Sequence, residues 1–124
     1  MATLATEDTF GNYLRYSGGV GVNTGDVVAQ PSDVGRFDTF TLCSLTGAMQ
    51  VFGSLDGTNF MTSPLTLEDL GAASTTGEVY VTATAAERLY RFRGTFAKIQ
   101  VQQNGATAVT GATLILSKLN RQGF

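Results

Sequence analysis

The chain has 124 residues, 43% of them hydrophobic and 15% charged, with eight basic against ten acidic side chains, one cysteine and no histidine. That length fits one domain with a real core needing neither disulfides nor metal, and a net charge of −2 lacks the basic excess that free nucleic acid as main ligand requires. Cys43 alone excludes an intramolecular disulfide, and a charged fraction below the about 25% of ordinary soluble domains leaves a bland exterior suited to lying against neighbours.

No basic leader with an apolar segment opens the sequence, and no apolar run approaches the ~20 residues of a bilayer span. No Asn-x-Ser/Thr acceptor occurs. The expectation is an unprocessed soluble protein made in the cytosol, with neither membrane nor nucleic acid as partner.

Residues 1–25 differ from the rest and read as an N-terminal arm. Phe10, Tyr13 and Leu14 have helical spacing, which Gly11 and Asn12 weaken. Residues 17–25, with four glycines, read as a flexible connector. The arm either packs back on its own domain or docks on a neighbour.

From Val27 the signals are β, and residues 26–119 form the predicted domain. Val27-Val28-Ala29 stops at Gln30-Pro31, where the missing amide ends a ladder. From Phe37 to Leu45, Phe40 and Leu42 share one face while Phe37, Thr39, Thr41 and Cys43 share the other. Apolar residues on both faces predict a strand between two layers. Met49, Val51 and Leu55 share a face, interrupted by Gly53. Asp56-Gly57-Thr58-Asn59 is the strongest hairpin signal, with Phe60-Met61-Thr62 as return strand before Pro64. Thr66 to Gly71 has an N-cap, an acid and a terminal glycine, and predicts a single helical turn. Residues 71–77 read as a loop, Val79 and Val81 as a strand, and residues 84–87 as a turn.

Leu89 to Phe92 is a strand, and Phe96 to Gln103 another, with Ile99 and Val101 facing in. Asn104-Gly105 marks a hairpin turn, a last strand runs from Ala112 to Leu119, and residues 120–124 form a polar tail. The sum is about seven or eight short strands with regular turn signals. That pattern predicts an all-β fold, a single antiparallel β-sandwich of jelly-roll type with an extended N-terminal arm.

Chemistry is poorly served. Without histidine the usual general base and commonest metal ligand is missing. One cysteine rules out Cys/His zinc sites and a Cys–His nucleophile. The glycines at 19, 21 and 25 echo a dinucleotide loop, but no long strand precedes them and no helix follows. Glu7-Asp8 and Glu68-Asp69 are sequence neighbours whose side chains diverge, which suits solvated turns rather than a paired-carboxylate mechanism. Asp56, Thr58 and Asn59 offer oxygens for calcium, yet a plain hairpin turn explains them. The reading is of a non-enzyme with no catalytic residue, no cofactor and no metal.

Extended Arg88 to Arg93 puts Arg91 and Arg93 on one face and Tyr90 and Phe92 on the other. The arginines form either a docking strip for a partner's carboxylates or a solvent face balanced by Glu78 and Glu87.

The stretch Val51-Phe52-Gly53-Ser54-Leu55-Asp56-Gly57-Thr58-Asn59-Phe60 resembles a phrase common in β-sandwich structural proteins of tailed bacteriophages. Arg91-Phe92-Arg93-Gly94-Thr95-Phe96-Ala97-Lys98-Ile99-Gln100-Val101 resembles later strands of the same domains. Together they cover about a sixth of the chain. The first stretch is also similar to a hairpin of discoidin-like and carbohydrate-binding sandwiches, which usually present tryptophans; this chain has none. The phage resemblance implies a capsid cement (decoration) protein, commonly a homotrimer, made in the host cytoplasm and bound to the major capsid protein on the virion surface. It also implies, less directly, a head–tail connector or tail accessory protein. A glycan- or host-surface-binding module is the competing class. On the cement reading Phe10, Tyr13, Leu14 and Tyr16 of the arm reach a neighbour, Arg91 and Arg93 make a second contact and the tail a third.

Overall fold

A computed structural model describes residues 1–31, 34–71 and 79–118, and shows ten strands and no helix among them. In chain order these are β1 (Thr6–Phe10), β2 (Tyr13–Gly19), β3 (Val27–Ala29), β4 (Thr39–Cys43) and β5 (Met49–Ser54). The second half holds β6 (Leu67–Asp69), β7 (Tyr80–Val81), β8 (Tyr90–Arg93), β9 (Lys98–Gln103) and β10 (Ala112–Ser117). They form a seven-stranded sheet in the order β1-β2-β10-β4-β8-β6-β7 and a three-stranded sheet in the order β3-β9-β5. Every pairing is antiparallel. The all-β, two-sheet architecture read from the sequence is the one found.

Period-two alternation builds the core, because successive side chains leave a strand on opposite faces. In β9, Ile99, Val101 and Gln103 are buried while Lys98, Gln100 and Gln102 are half-buried on the far face. The same phase buries Ala112, Leu114 and Leu116 of β10, Phe40 and Leu42 of β4, and Tyr90 and Phe92 of β8. Phe40 stacks on Phe92 at 4.9 Å between ring centroids, and Phe96 meets both edge-on at 5.9 and 6.2 Å. Phe96 lies over Gly53, where a Cβ would come within 2.8 Å of its ring; the glycine that interrupts β5 in sequence is what admits this ring.

The expected arm is corrected. Residues 6–19 are a hairpin that forms one margin of the large sheet. Gly11 and Asn12 break no helix but make a two-residue turn, with Gly11 at φ 62°, a value glycine adopts freely. Leu14 and Tyr16 follow the period of two and enter the core opposite Leu116 and Leu114 of β10. The supposed connector is also fixed by backbone bonds. Val20 bridges Thr3, Gly21 exchanges hydrogen bonds with Val109, and the Gly25 N–H donates to Gln103. A Cβ at Gly19 or Gly21 would collide with Val28 or Gln103, so these glycines serve close approach rather than flexibility.

Three smaller expectations also change. The Thr66–Gly71 stretch contains strand β6 rather than a helical turn: Leu67 is buried, Glu68 pairs across to Arg91, and the Leu70 N–H donates to Leu89. After Asp56 there is a turn but no return strand: residues 60–62 form no ladder, and the Met61 N–H donates to the Gly53 carbonyl of β5. The turn at Asn104-Gly105 joins no hairpin, because β9 and β10 belong to different sheets. Of the predicted loop at 71–77 all but Gly71 lies outside the described residues, as does the polar tail at 120–124.

The prediction that β4 lies between two layers is half right. Its inner face carries Phe40 and Leu42 against the core, but Thr41 and Cys43 on its outer face are only half-buried, and no strand among the described residues covers them.

Candidate functional site

The six residues singled out in the sequence fall in three settings. Phe10 ends β1 and its backbone pairs with Tyr13, which is 46% exposed beside the hairpin turn. Leu14 and Tyr16 are buried, and the Tyr16 hydroxyl donates to Glu7 Oε1 at 2.9 Å. These two hold the hairpin to the core and cannot reach a neighbour while it is folded. Near the turn Tyr13, Leu14, Arg36 and Phe37 line an open hollow, with the Arg36 guanidinium 4.8 Å above the Phe37 ring. Arg91 and Arg93 do share one face of β8. Arg91 is engaged: its Nε and Nη2 donate to Glu68 Oε1 at 3.1 and 2.7 Å. The partner is Glu68, not Glu87; Glu78 lies outside the described residues. No carboxylate among the described residues pairs with Arg93, which is exposed. Both arginines line an open depression of about 230 Å³ with Thr66, Glu68 and Tyr80.

Register across the seven-stranded sheet sets these residues in a longer pattern. Direct partners run Asp8–Arg15–Ile115–Thr41–Arg91–Glu68–Tyr80, one residue from each strand, all on the outer face. The row has an ion pair toward each end, Arg15–Asp8 at 2.6 Å and Arg91–Glu68 at 2.7 Å, and an uncharged middle. The Arg15 hydrogen bond holds the Asp8 carboxyl below its usual range, and Asp8 raises Arg15 in turn. On one side of the row lie Thr113 and Cys43, then the exposed Leu45 (63%), Leu89 (52%) and Leu70 (40%). Partial burial raises the Cys43 thiol above its ordinary pKa. This face has a charge-poor, partly apolar centre and a paired, polar margin, the usual anatomy of a protein-protein contact.

The outer face of the three-stranded sheet is different. Gln100 donates to Gln30 at 3.2 Å and accepts from Gln102 at 2.6 Å, and Gln50 and Phe52 lie alongside as register partners of Gln102 and Gln100. Two side-chain bonds link three of these amides into a polar ladder.

The Asp56 turn is self-contained. The N–H groups of Asn59 and Thr58 donate to its carboxylate at 2.8 Å each, the Asn59 amide at 2.9 Å and the Ser54 hydroxyl at 3.1 Å, and together they hold this acid far below its ordinary pKa. Among the described residues no three His, Cys, Asp or Glu side chains are placed to share a metal ion.

Gln103 is the residue that sequence reasoning passed over. It is buried, its Nε2 donates to the carbonyls of Val22 and Gly105, and its Oε1 accepts from the Val109 N–H. The signal was present in the phase of β9, where 99, 101 and 103 all point inward.

No family model matches the chain, and no curated protein matches it. Among solved structures, the Drosophila melanogaster CENP-C cumin domain is 10% identical with a TM-score of 0.40, over 91% of this chain and 72% of that one, a likeness too loose to build on. The SPBc2 prophage-derived protein YomS is 13% identical with a TM-score of 0.61, over 88% of this chain and 96% of that one. The chain thus shares its fold with a protein of prophage origin across nearly that protein's whole length.

Proposed function

We propose that the chain is a structural component of a bacteriophage particle that works by adhesion rather than catalysis, as a cement protein on the capsid surface bridging copies of the major capsid protein. The observation that carries this reading is the fold shared with YomS, covering 96% of that prophage-derived protein. A chain with only 15% charged residues supports it. Stabilisation follows from mass action. A protein that binds the assembled lattice but not free subunits adds about 2.7 kcal/mol per site at a hundredfold excess over Kd.

Two exposed groups are suited to the coat. Tyr13 at the hairpin turn offers a rigid aromatic anchor beside the Arg36–Phe37 hollow. Arg93 offers a guanidinium fork that has no carboxylate of its own among the described residues. Co-sedimentation of purified protein with empty shells tests the reading. Saturable binding is expected, together with shells that survive warming better and a loss of binding in Tyr13→Ser and Arg93→Ser. Protein that stays in the supernatant at every concentration would remove the cement role.

A further inference from the structure

We infer that the outer face of the seven-stranded sheet is closed by a second copy of this chain, in a two-fold sandwich whose axis runs along the middle strand β4. This does not rest on the capsid reading. The first observation is the strand character of the sheet's centre. Among the threonines and serine of their outer faces, β10 carries Ile115 and β4 carries Cys43, apolar groups that a facing layer would cover. Yet Ile115, Thr41 and Cys43 are only half-buried, and no strand among the described residues lies over them. A facing sheet about 10 Å away is the layer such strands are built to meet.

The charge order of the row then selects the partner and the symmetry. The row reads Asp8, Arg15, Ile115, Thr41, Arg91, Glu68, Tyr80, with Thr41 in the middle. A two-fold axis parallel to the strands through Thr41 reverses the row of the second copy. It sets Arg15 of one copy over Glu68 of the other, Asp8 over the Tyr80 hydroxyl, and Ile115 over the aliphatic stem of Arg91. A two-fold axis across the strands would instead set Arg15 over Arg15 and Glu68 over Glu68. Opposite charges meet in the first arrangement and like charges in the second, which is costly. The first also brings the Leu45 side chains of the two copies together.

The area is sufficient but modest. Seven strands ~4.8 Å apart, three to five residues long in most cases, give a footprint of roughly 500 Å². Two copies therefore reach the about 1,000 Å² expected of a specific contact, near its lower limit, so the pair is concentration-dependent. Such a pair is two-fold, not the trimer that the family resemblance implied.

Light scattering on a sizing column tests the inference. The expected mass is twice that of the chain at about 100 µM and falls toward one chain below about 1 µM, the range of a micromolar Kd. Because the contact is isologous, each substitution acts twice. Thr41→Arg on the axis is expected to give a folded monomer at every concentration, checked by circular dichroism. Arg15→Glu is expected to weaken the pair at least about tenfold and Arg15→Glu with Glu68→Arg to restore most of it, since only the swapped charges can meet again across the axis. Cys43 lies one outward position from Thr41 on β4, so a short bismaleimide is expected to join two wild-type chains and to join none in Thr41→Arg. A wild-type chain monomeric at 100 µM and above, where a micromolar pair would persist, overturns the inference and leaves the face to a different protein. A dimer indifferent to Thr41→Arg overturns it as well.

Discussion

The two outer faces of this small sandwich are built from similar strands and prepared for opposite surroundings. On the three-stranded side the amides of Gln30, Gln100 and Gln102 bond in series. Covering them with protein would strip water from groups that a partner must then satisfy one by one. On the seven-stranded side Thr41, Cys43, Thr113 and Ile115 have little hydration to lose, and the charges beside them are already paired. The lesson is that exposure alone does not separate a wet face from a docking face. Half-buried residues occur on both; the difference lies in what each side chain loses when water leaves.

Substitutions that undermine both faces at once are expected to have the largest effect. Phe40→Ala removes the ring stacked on Phe92 beneath the large sheet and should cost about 3–5 kcal/mol in urea unfolding, with both faces lost together. Gln103→Leu should cost about 1–3 kcal/mol, because the Val22 and Gly105 carbonyls lose its amide as donor and the Val109 N–H keeps only its bond to Gly21. Its effect should centre on the small sheet and on the glycine-rich segment it holds, visible as faster amide exchange at residues 20–25 and 109.

Changes confined to one face come next. Glu68→Gln takes the charge from the bonds to Arg91, a partly exposed contact, and should cost no more than about 1 kcal/mol in the monomer. Gln100→Lys on the amide ladder should stay within about 0.5 kcal/mol and leave the dimer mass unchanged. A dimer lost in Gln100→Lys but kept in Thr41→Arg would reverse the assignment of the faces.

Acid sharpens the contrast further. Asp8 on the large sheet, Asp26 beside the glycine-rich segment and Asp56 at the end of β5 all have folded-state pKa values below their ordinary ones. A depressed pKa contributes stability that is present above the unfolded value, about 3.9, and is lost as pH falls through the folded value. Stability should therefore be flat near neutrality and decline below about pH 4, with Asp56 the last of the three to protonate. Asp56→Asn should flatten the acid end of that profile in a thermal melt series.

How far the sequence reveals this molecule depends on whether the signal is local. Ile99 and Val101, Leu114 and Leu116, Phe40 and Leu42, and Tyr90 and Phe92 announce their strands by alternation, and all are buried where that alternation puts them. The N-terminal hairpin was misread because Phe10, Tyr13 and Leu14 fit a helical spacing as well as a strand. What decides for the strand is the pairing of β2 with β10, a contact across about a hundred residues with no local trace. β6 was misread for the same reason, its capping pattern being overruled by pairing with β8. The arginine pair was correctly placed on one face, but its counter-ion was not, since Glu68 reaches Arg91 only through that unforeseen strand. Buried Leu14 and Tyr16 show the hazard of reading aromatic or apolar residues near a terminus as anchors.

Strand β10 lies between β2 and β4 in space although residues 112–117 come long after both in the chain. A ribosome must therefore release residue 117 before the large sheet can exist at all, and earlier nascent lengths hold the hairpin and β4 as unjoined pieces. Such sequence-distant closure makes for slow folding, on the order of milliseconds to seconds. It also means that a half-made chain holds the facing edges of β2 and β4, and the apolar residues Leu14, Tyr16, Phe40 and Leu42, uncovered until β10 emerges, open to siblings on the same message.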